Sequence, residues 1–331
     1  MTKRNSTLDA MKLVAAFAVV FIHVVAPLDT RTNLSPLYMV LRYAVTLAVP
    51  VFFSITGLLW GQKNVTSHYL IKLLRKTIVL MIGSNVMYFI IKFLFSSLKA
   101  FQQQSYENLF KFLNVLTWRT FLEGDFAAVH LWYLMALILA IPAFIVLKAV
   151  FKSSSLMFWT SLIFYVIVQI GWLPGIKLIS TYGGLPEALL FLTLGYHIGQ
   201  TSGKRNSALT QIVVGFFGFL VTAFFTQKVL NLTFELIVVA GLLRLALNWN
   251  IKNVKLAEMG RKYGLTIYIT HYVWILVFHH AIQILKVSRA YDNPIFVSAM
   301  FISVVVLSIW SAPVFNLYIE KFSNISSKLF F

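Results

Sequence analysis

The chain has 331 residues, of which 59% are hydrophobic and only 11% are charged. Soluble domains carry about a quarter charged residues, so this composition excludes an ordinary soluble enzyme. There is no cysteine, which excludes disulfides, thiolate nucleophiles and cysteine-based metal or redox sites. The formal net charge of +18 is typical of the Lys- and Arg-rich cytoplasmic loops of membrane proteins, so we expect no nucleic-acid partner.

Ten apolar segments predict membrane-spanning helices, because several of them exceed the ~18 residues that suggest a span. They cover 10–26, 37–60, 77–98, 129–150, 156–173, 184–200, 208–226, 233–248, 265–286 and 295–319. The fold class predicted is an all-α integral membrane protein, a bundle of about ten transmembrane helices that forms a single domain over residues 1–331. The first segment resembles a signal peptide, but further spans follow and it contains a histidine, so we expect it to be retained.

The basic residues predict that both termini are cytoplasmic. With the N-terminus inside, the cytoplasmic loops hold about twice as many Lys and Arg residues as the outer loops, as the positive-inside rule requires. The basic loop 61–76 is then cytoplasmic, and the longest connection, 99–128, is extracytoplasmic. Its apolar side chains among polar ones indicate a partly helical, interfacial segment that could roof a cavity.

The first apolar segment places ionisable residues along one helical face. Lys12 and His23 are eleven residues apart, which is three turns plus about 20°, so they share a face roughly 16 Å apart along the axis. Asp9 lies within about 40° of that face, although an ordinary i,i+3 pair with Lys12 explains Asp9 alone. His23 needs a polar partner in lipid, and its proton affinity suits a general base near neutral pH.

A second group of basic residues precedes the third segment. His68, Lys72, Arg75 and Lys76 follow i, i+4, i+7, i+8 spacing, so they form one helical face. Such a face could bind phosphates through charge-assisted hydrogen bonds. The alternative interpretation is the positive-inside bias, which explains these residues without any ligand.

A third group lies at the outer end of the fourth segment, where Glu123 and Asp125 precede His130, Trp132 and Tyr133. An interfacial aromatic belt explains the tryptophan and the tyrosine. It does not explain the histidine or the two carboxylates, which we therefore regard as candidates for a functional site.

Three further histidines lie in the ninth segment. His271 closes the sequence Tyr-Ile-Thr-His and is equally well explained as a core histidine bonded to a neighbouring helix or as a functional residue. The adjacent His279 and His280 point in different directions on a helix, so they make a poor metal pair. We predict no metal site.

Taken in chain order, these features resemble the membrane-bound acyltransferase-3 family, and most of all its short members of the enterobacterial-common-antigen type. The resemblance rests on five stretches: Leu8-Asp9 with Lys12-x10-His23, residues 49–57, the basic residues around Arg75, residues 130–134, and residues 268–271. The family usually carries Arg-x10-His in its first helix. Lys12 keeps the charge of that arginine but lacks its planar, bidentate fork.

The resemblance implies transfer of an acyl group, usually acetyl, from cytoplasmic acyl-CoA to a hydroxyl of a cell-surface or lipid-linked polysaccharide. It places the enzyme in the inner membrane, with acetyl-CoA as co-substrate, the glycan and the lipid bilayer as partners, and His23 as the essential histidine. We expect direct transfer with His23 as general base, an acyl-histidine intermediate being the alternative. The candidate catalytic residues are His23, Asp9 and His130. The candidate residues for the CoA phosphates are Lys12, Lys72, Arg75 and Lys76. The candidate acceptor-binding residues are Glu123, Asp125, Trp132, Tyr133 and His271.

Two other classes of protein fit part of this pattern. A secondary transporter or flippase also has buried charges and broken helices, and Pro50 and Pro142 lie inside predicted spans. The chain shows no paired, repeated halves, which argues against a transporter. A membrane ligand-sensing domain would handle a ligand without acyl transfer, and acyl-CoA turnover distinguishes the enzyme from both.

Overall fold

A computed structural model of the chain describes residues 5–26, 36–171, 181–201, 207–225, 228–249, 251–252, 254–285, 287, 291 and 293–330. Over these ranges the secondary structure is helical and no β-strand occurs, which confirms the all-α class. The α-helices are α1 Ser6–Val25, α2 Pro36–Thr46, α3 Ala48–Lys63, α4 Ser67–Gln103, α5 Glu107–Val115, α6 Trp118–Glu123, α7 Trp132–Val150, α8 Ser154–Gln169, α9 Gly184–Gln200, α10 Ala208–Phe224, α11 Lys228–Asn248, α12 Val254–Ile284, α13 Pro294–Trp310 and α14 Ala312–Phe330.

Among the described residues, six helical stretches are long and apolar enough to cross a membrane, and α13 with α14, bent by 49°, passes as a seventh. The six are Ser6–Val25, Tyr38–Lys63, Ser67–Gln103, Val129–Val150, Leu230–Asn248 and Lys255–Ile284. A multi-pass membrane protein is therefore supported, but the count of ten spans is not confirmed. The helices α8, α9 and α10 have only 16, 17 and 17 residues. At 1.5 Å per residue they are about 24–26 Å long, against ~30 Å of hydrocarbon core.

The helices alone do not show on which side of the membrane each terminus lies. Several basic residues on which the predicted sidedness depends lie outside the described residues, among them Lys3, Arg4, Arg31, Lys204 and Arg205. That both termini are cytoplasmic stays a prediction.

The structure corrects the expected loop 61–76, because α4 already begins at Ser67. The side chain of Thr66 accepts a hydrogen bond from the Tyr69 N–H and so caps the helix. With 37 residues α4 is about 55 Å long, which exceeds the hydrocarbon core. The connection 99–128 is also largely helical, since it contains the end of α4 together with α5 and α6.

Helices α1 and α12 run parallel and in close contact. A Cβ added to Gly260 would lie 1.9 Å from the carbonyl oxygen of Asp9, whereas one added to Gly264 would lie 3.9 Å from Lys12. The register continues to the far end of α1, where the rings of His23 and His271 are neighbours. The α1 face that carries Lys12 and His23 is thus aligned with residues 260–271 of α12.

Helices α3 and α9 approach each other through two small-xxx-small patterns, a common device of membrane helices. A Cβ on Gly57 would lie 2.0 Å from the Leu192 carbonyl oxygen, and one on Gly195 would lie 2.0 Å from that of Ser54. Gly61 and Gly199 repeat the pattern one turn further on. This contact fixes α3, whose other neighbours include α1, as one wall of the central cavity described below.

Candidate active site

Three histidines from distant parts of the sequence meet in the centre of the bundle. His23 comes from α1, His130 from the short 3-10 turn before α7, and His271 from α12. The ring centroids of His130 and His271 are 4.9 Å apart, those of His23 and His271 5.3 Å, and those of His23 and His130 6.1 Å. These three rings are called the histidine cluster below.

Backbone carbonyls hold two of the three rings. His130 Nε2 donates to the carbonyl oxygen of Ile269 at 3.2 Å, and His271 Nδ1 donates to that of Ile267 at 3.0 Å. Because a carbonyl oxygen only accepts, these two nitrogens carry the protons of the neutral rings. The lone pairs then lie on His130 Nδ1 and His271 Nε2, both of which are buried and have no hydrogen-bond partner in the described part of the chain.

His23 differs from the other two in its exposure. His130 and His271 are fully buried, with 1% and 0% of their surface exposed, whereas His23 is half-buried. The His23 ring is therefore the member of the cluster that a substrate reaches most directly. The described residues include no group of His, Asp and Glu side chains that could hold a metal ion.

Four tyrosines surround the histidine cluster. The Tyr88 hydroxyl donates to the Ile269 carbonyl at 2.5 Å, and the Tyr268 hydroxyl donates to the His130 carbonyl. The Tyr133 ring lies 5.4 Å from that of Tyr268, and the Tyr272 ring lies 5.3 Å from His130. These contacts hold the backbone around residues 268–272 and with it the positions of the imidazoles.

A cavity of about 250 Å³ runs between α1, α3, α7 and α12. At one end it is bordered by Lys12, whose ammonium lies 3.3 Å from Asp9 Oδ1, and by Arg261. At the other end it reaches Tyr133 and Tyr268, and the Tyr268 ring is 5.7 Å from His130. The remaining lining residues are Phe52, Thr56, Gly260, Gly264 and Leu265. The cavity thus connects two cationic side chains with the tyrosines that border the histidine cluster.

A family model described as an acyltransferase domain, Acyl_transf_3, matches residues 5–312, which is nearly the whole chain. The chain belongs to the acyltransferase-3 family. Family membership indicates membrane acyltransferase activity and confirms the resemblance seen in the sequence, although the enterobacterial-common-antigen subtype is not confirmed. No curated protein and no solved structure gives a significant match to the chain.

In this acyltransferase the predicted site residues divide into those that the fold brings to the centre and those that it does not. The histidine cluster unites three of them, and Asp9, Lys12 and Tyr133 line the central cavity. The basic face of α4 lies outside the central cavity. Its members, Lys72, Arg75 and Lys76, are exposed in the first three turns of α4 and do not line the cavity.

The acidic residues form a separate edge of the site. Glu123 accepts a hydrogen bond from Arg119 at 2.9 Å, and Asp125 Oδ2 accepts one from the Tyr182 hydroxyl at 3.4 Å. The Trp132 ring lies 6.2 Å from the Tyr182 ring and so packs beside this edge. Burial and the nearby Glu123 charge raise the pKa of Asp125 above its ordinary value. Neither carboxylate nor Trp132 lines the central cavity.

Sequence reasoning missed Arg261, Tyr88 and Tyr272 as members of the site, and it included Tyr268 only as part of the stretch 268–271. The sequence feature that could have revealed Arg261 is its place between Gly260 and Gly264, a small-xxx-small pattern that brings α12 against α1. The tyrosines carry no such signal, because an aromatic residue in an apolar helix is ordinary until its neighbours are known.

Proposed function

We propose that this acyltransferase moves an acetyl group from acetyl-CoA to a hydroxyl of a cell-surface or lipid-linked polysaccharide. It acts in the inner membrane with both termini cytoplasmic, and His23 serves as general base. The observation that carries the proposal is the cavity that leads from Lys12 and Arg261 to the tyrosines beside the histidine cluster.

The shape of the cavity supports entry of the donor at the N-terminal end of α1. CoA carries its phosphates at one end and the thioester at the end of a long, slender arm. Lys12 and Arg261 offer two cations for the phosphates. A volume of about 250 Å³ lies below the 300–1,000 Å³ typical of pockets for whole drug-sized ligands, so it suits the arm rather than the nucleotide. The exposed face of Lys72, Arg75 and Lys76 is the alternative phosphate site.

The exposure of His23 supports its role as the base. Its ring nitrogen takes the proton of the acceptor hydroxyl while the oxygen attacks the thioester carbonyl carbon. The tetrahedral intermediate then collapses, the C–S bond breaks, and the proton passes from the His23 imidazolium to the CoA thiolate. The buried rings of His130 and His271, both close to His23, supply a polar environment for the imidazolium.

The test uses purified protein in detergent with radiolabelled acetyl-CoA, with and without an extract of cell-envelope glycans. We expect CoA release and glycan labelling by the wild type, a loss of at least about 100-fold in His23→Ala, and no loss in the control His197→Ala. His197 lies near the end of α9, where it hydrogen-bonds to Ser154, and it lines neither the central cavity nor the basic face of α4. Absence of turnover by the wild type in the presence of glycan and lipid would contradict the enzyme and favour a transporter or sensor.

A further inference from the structure

Helix α12 carries three features in succession along its length. Gly260, Arg261 and Gly264 line the central cavity near its start, and His271 belongs to the histidine cluster in its middle. A second cavity, of about 290 Å³, lies against its last turns, where His280 contributes to the wall. At 1.5 Å per residue, His271 is about 16 Å from Gly260 and about 14 Å from His280 along the axis. The two cavities therefore lie on opposite sides of the histidine cluster.

The second cavity is basic. It lies between α4, α5 and α12, and four of its lining side chains are Lys92, Lys99, His279 and His280. No Asp or Glu belongs to the described lining. Among the described residues, Asp125 is the acidic group whose charge acts on Lys92, and it does not line the cavity.

A single aromatic ring separates this basic pocket from the histidine cluster. The Lys92 ammonium lies 5.9 Å from the centroid of the Tyr272 ring. On the other side, the Tyr272 ring is 5.6 Å from His23 and 5.3 Å from His130. A group bound at Lys92 is thus held one ring away from the proposed base.

We propose that the basic pocket binds an anionic group, a phosphate or a carboxylate, that belongs to the acceptor. This inference rests on the proposed function and adds to it the chemical class of the acceptor. Cations at membrane depth are costly without a partner, and lysine ammonium groups bind phosphate and carboxylate oxygens through strong charge-assisted hydrogen bonds. An acceptor held by its anionic group at Lys92 and Lys99 would present a neighbouring hydroxyl past Tyr272 to His23.

The experiment compares affinities in nanodiscs of purely zwitterionic lipid. The probes are a hexose 1-phosphate, a trisaccharide ending in glucuronate, and neutral sugars of matched size. We expect the wild type to bind at least one anionic probe more tightly than its neutral counterpart, and the double variant Lys92→Gln/Lys99→Gln to bind that probe about tenfold more weakly. The control Lys111→Gln removes an exposed lysine of α5 outside the pocket and should leave the affinity unchanged.

Three results would overturn the inference. One is equal affinity of the wild type for anionic and neutral probes. The second is a loss of probe affinity in the Lys111→Gln control that is as large as the loss in the double variant. The third is loss of probe binding when phosphatidylglycerol replaces part of the lipid, which assigns the pocket to a lipid headgroup instead. Acetyl-CoA binding is measured on the same samples. Unchanged acetyl-CoA affinity in the double variant shows that it is folded, and it separates a failed acceptor site from a failed acyltransferase.

Discussion

The hydrogen bonds of His130 and His271 determine which nitrogen of each ring keeps a lone pair. The lone pair of His271 lies on Nε2, on a ring whose centroid is 5.3 Å from that of His23. In the proposed mechanism His23 takes a proton, and a neutral neighbour with an unprotonated nitrogen would stabilise the new positive charge. We therefore predict that His271 contributes to the transition state rather than to acceptor binding.

His271→Asn tests this role because the asparagine amide can replace the Nδ1 donor to Ile267 but has no counterpart of Nε2. We expect kcat to fall about tenfold or more, with the KM for acetyl-CoA unchanged and the melting temperature within about 2 °C of the wild type. His271→Ala, which also leaves a buried void, should lose both turnover and thermal stability. Wild-type kcat in His271→Asn would show that the ring is structural only. Turnover assays and thermal unfolding provide both readouts.

The sequence was sufficient to identify the three histidines one by one, because an imidazole in an apolar segment needs a polar partner. Their meeting could not be derived, since more than 100 residues separate neighbouring members of the cluster along the chain. Arg261 escaped for another reason, because a basic residue on the predicted cytoplasmic side is expected from the positive-inside rule alone. Lys92 and Lys99 lie toward the other end of the third segment, and nothing in the sequence shows that they share a pocket with His279 and His280.

At the scale of the elements, helix contacts through glycine determine where the central cavity opens. Gly260 and Gly264 are one turn apart on α12 and face α1, but only the first is in van der Waals contact with its backbone. They provide a matched pair in which the same substitution meets different surroundings. The closeness of α12 to α1 at residue 260 sets the position of Arg261 at the cavity.

Gly260→Ala should destabilise the fold by about 1–3 kcal/mol, because the new Cβ would lie 1.9 Å from the Asp9 carbonyl oxygen and the helices must separate. Gly264→Ala should be neutral or slightly stabilising, since its Cβ meets only an ordinary contact at 3.9 Å and alanine favours a helix. Thermal unfolding in detergent measures both. Equal melting temperatures of the two variants would contradict the close α1–α12 contact.

The apolar segments predicted most helices, including the bounds of α9, but not the start of every helix. The start of α4 at Ser67 was missed because basic residues interrupt the hydropathy there, although Thr66 supplies an N-cap. The expected spans that correspond to α8, α9 and α10 are not confirmed, because these helices are only 16 or 17 residues long. Hydropathy reports the preference for lipid or core, and buried helices of a bundle satisfy it as well as spanning helices do.

At the scale of the whole molecule, the two cavities predict that the donor and the acceptor arrive from opposite sides of the membrane. The cysteine-free chain allows a direct test, because a single introduced cysteine is the only thiol. Lys63 at the end of α3 and Lys111 on α5 are both exposed, and the α4 helix of about 55 Å separates their regions.

We expect a membrane-impermeant maleimide to label Lys111→Cys but not Lys63→Cys in intact spheroplasts, and to label both after lysis. This follows from the predicted cytoplasmic N-terminus and the predicted external position of residues 99–128. Labelling of Lys63→Cys in intact cells, with Lys111→Cys protected, would invert the topology and place the entrance beside Lys12 outside. Parallel turnover assays confirm that each variant is folded.

The Tyr272 ring between the basic pocket and the histidine cluster has a consequence for the energy supply of the cell. An enzyme with openings toward both faces of an energised membrane risks a proton leak, because protons cross the membrane along any continuous chain of water molecules. Tyr272, together with the buried Tyr88 and Tyr268, fills the space between the two cavities with aromatic rings. In the proposed arrangement, with the donor and the acceptor arriving from opposite faces, these rings would interrupt a continuous chain of water, so that catalysis across the bilayer would not dissipate the proton gradient.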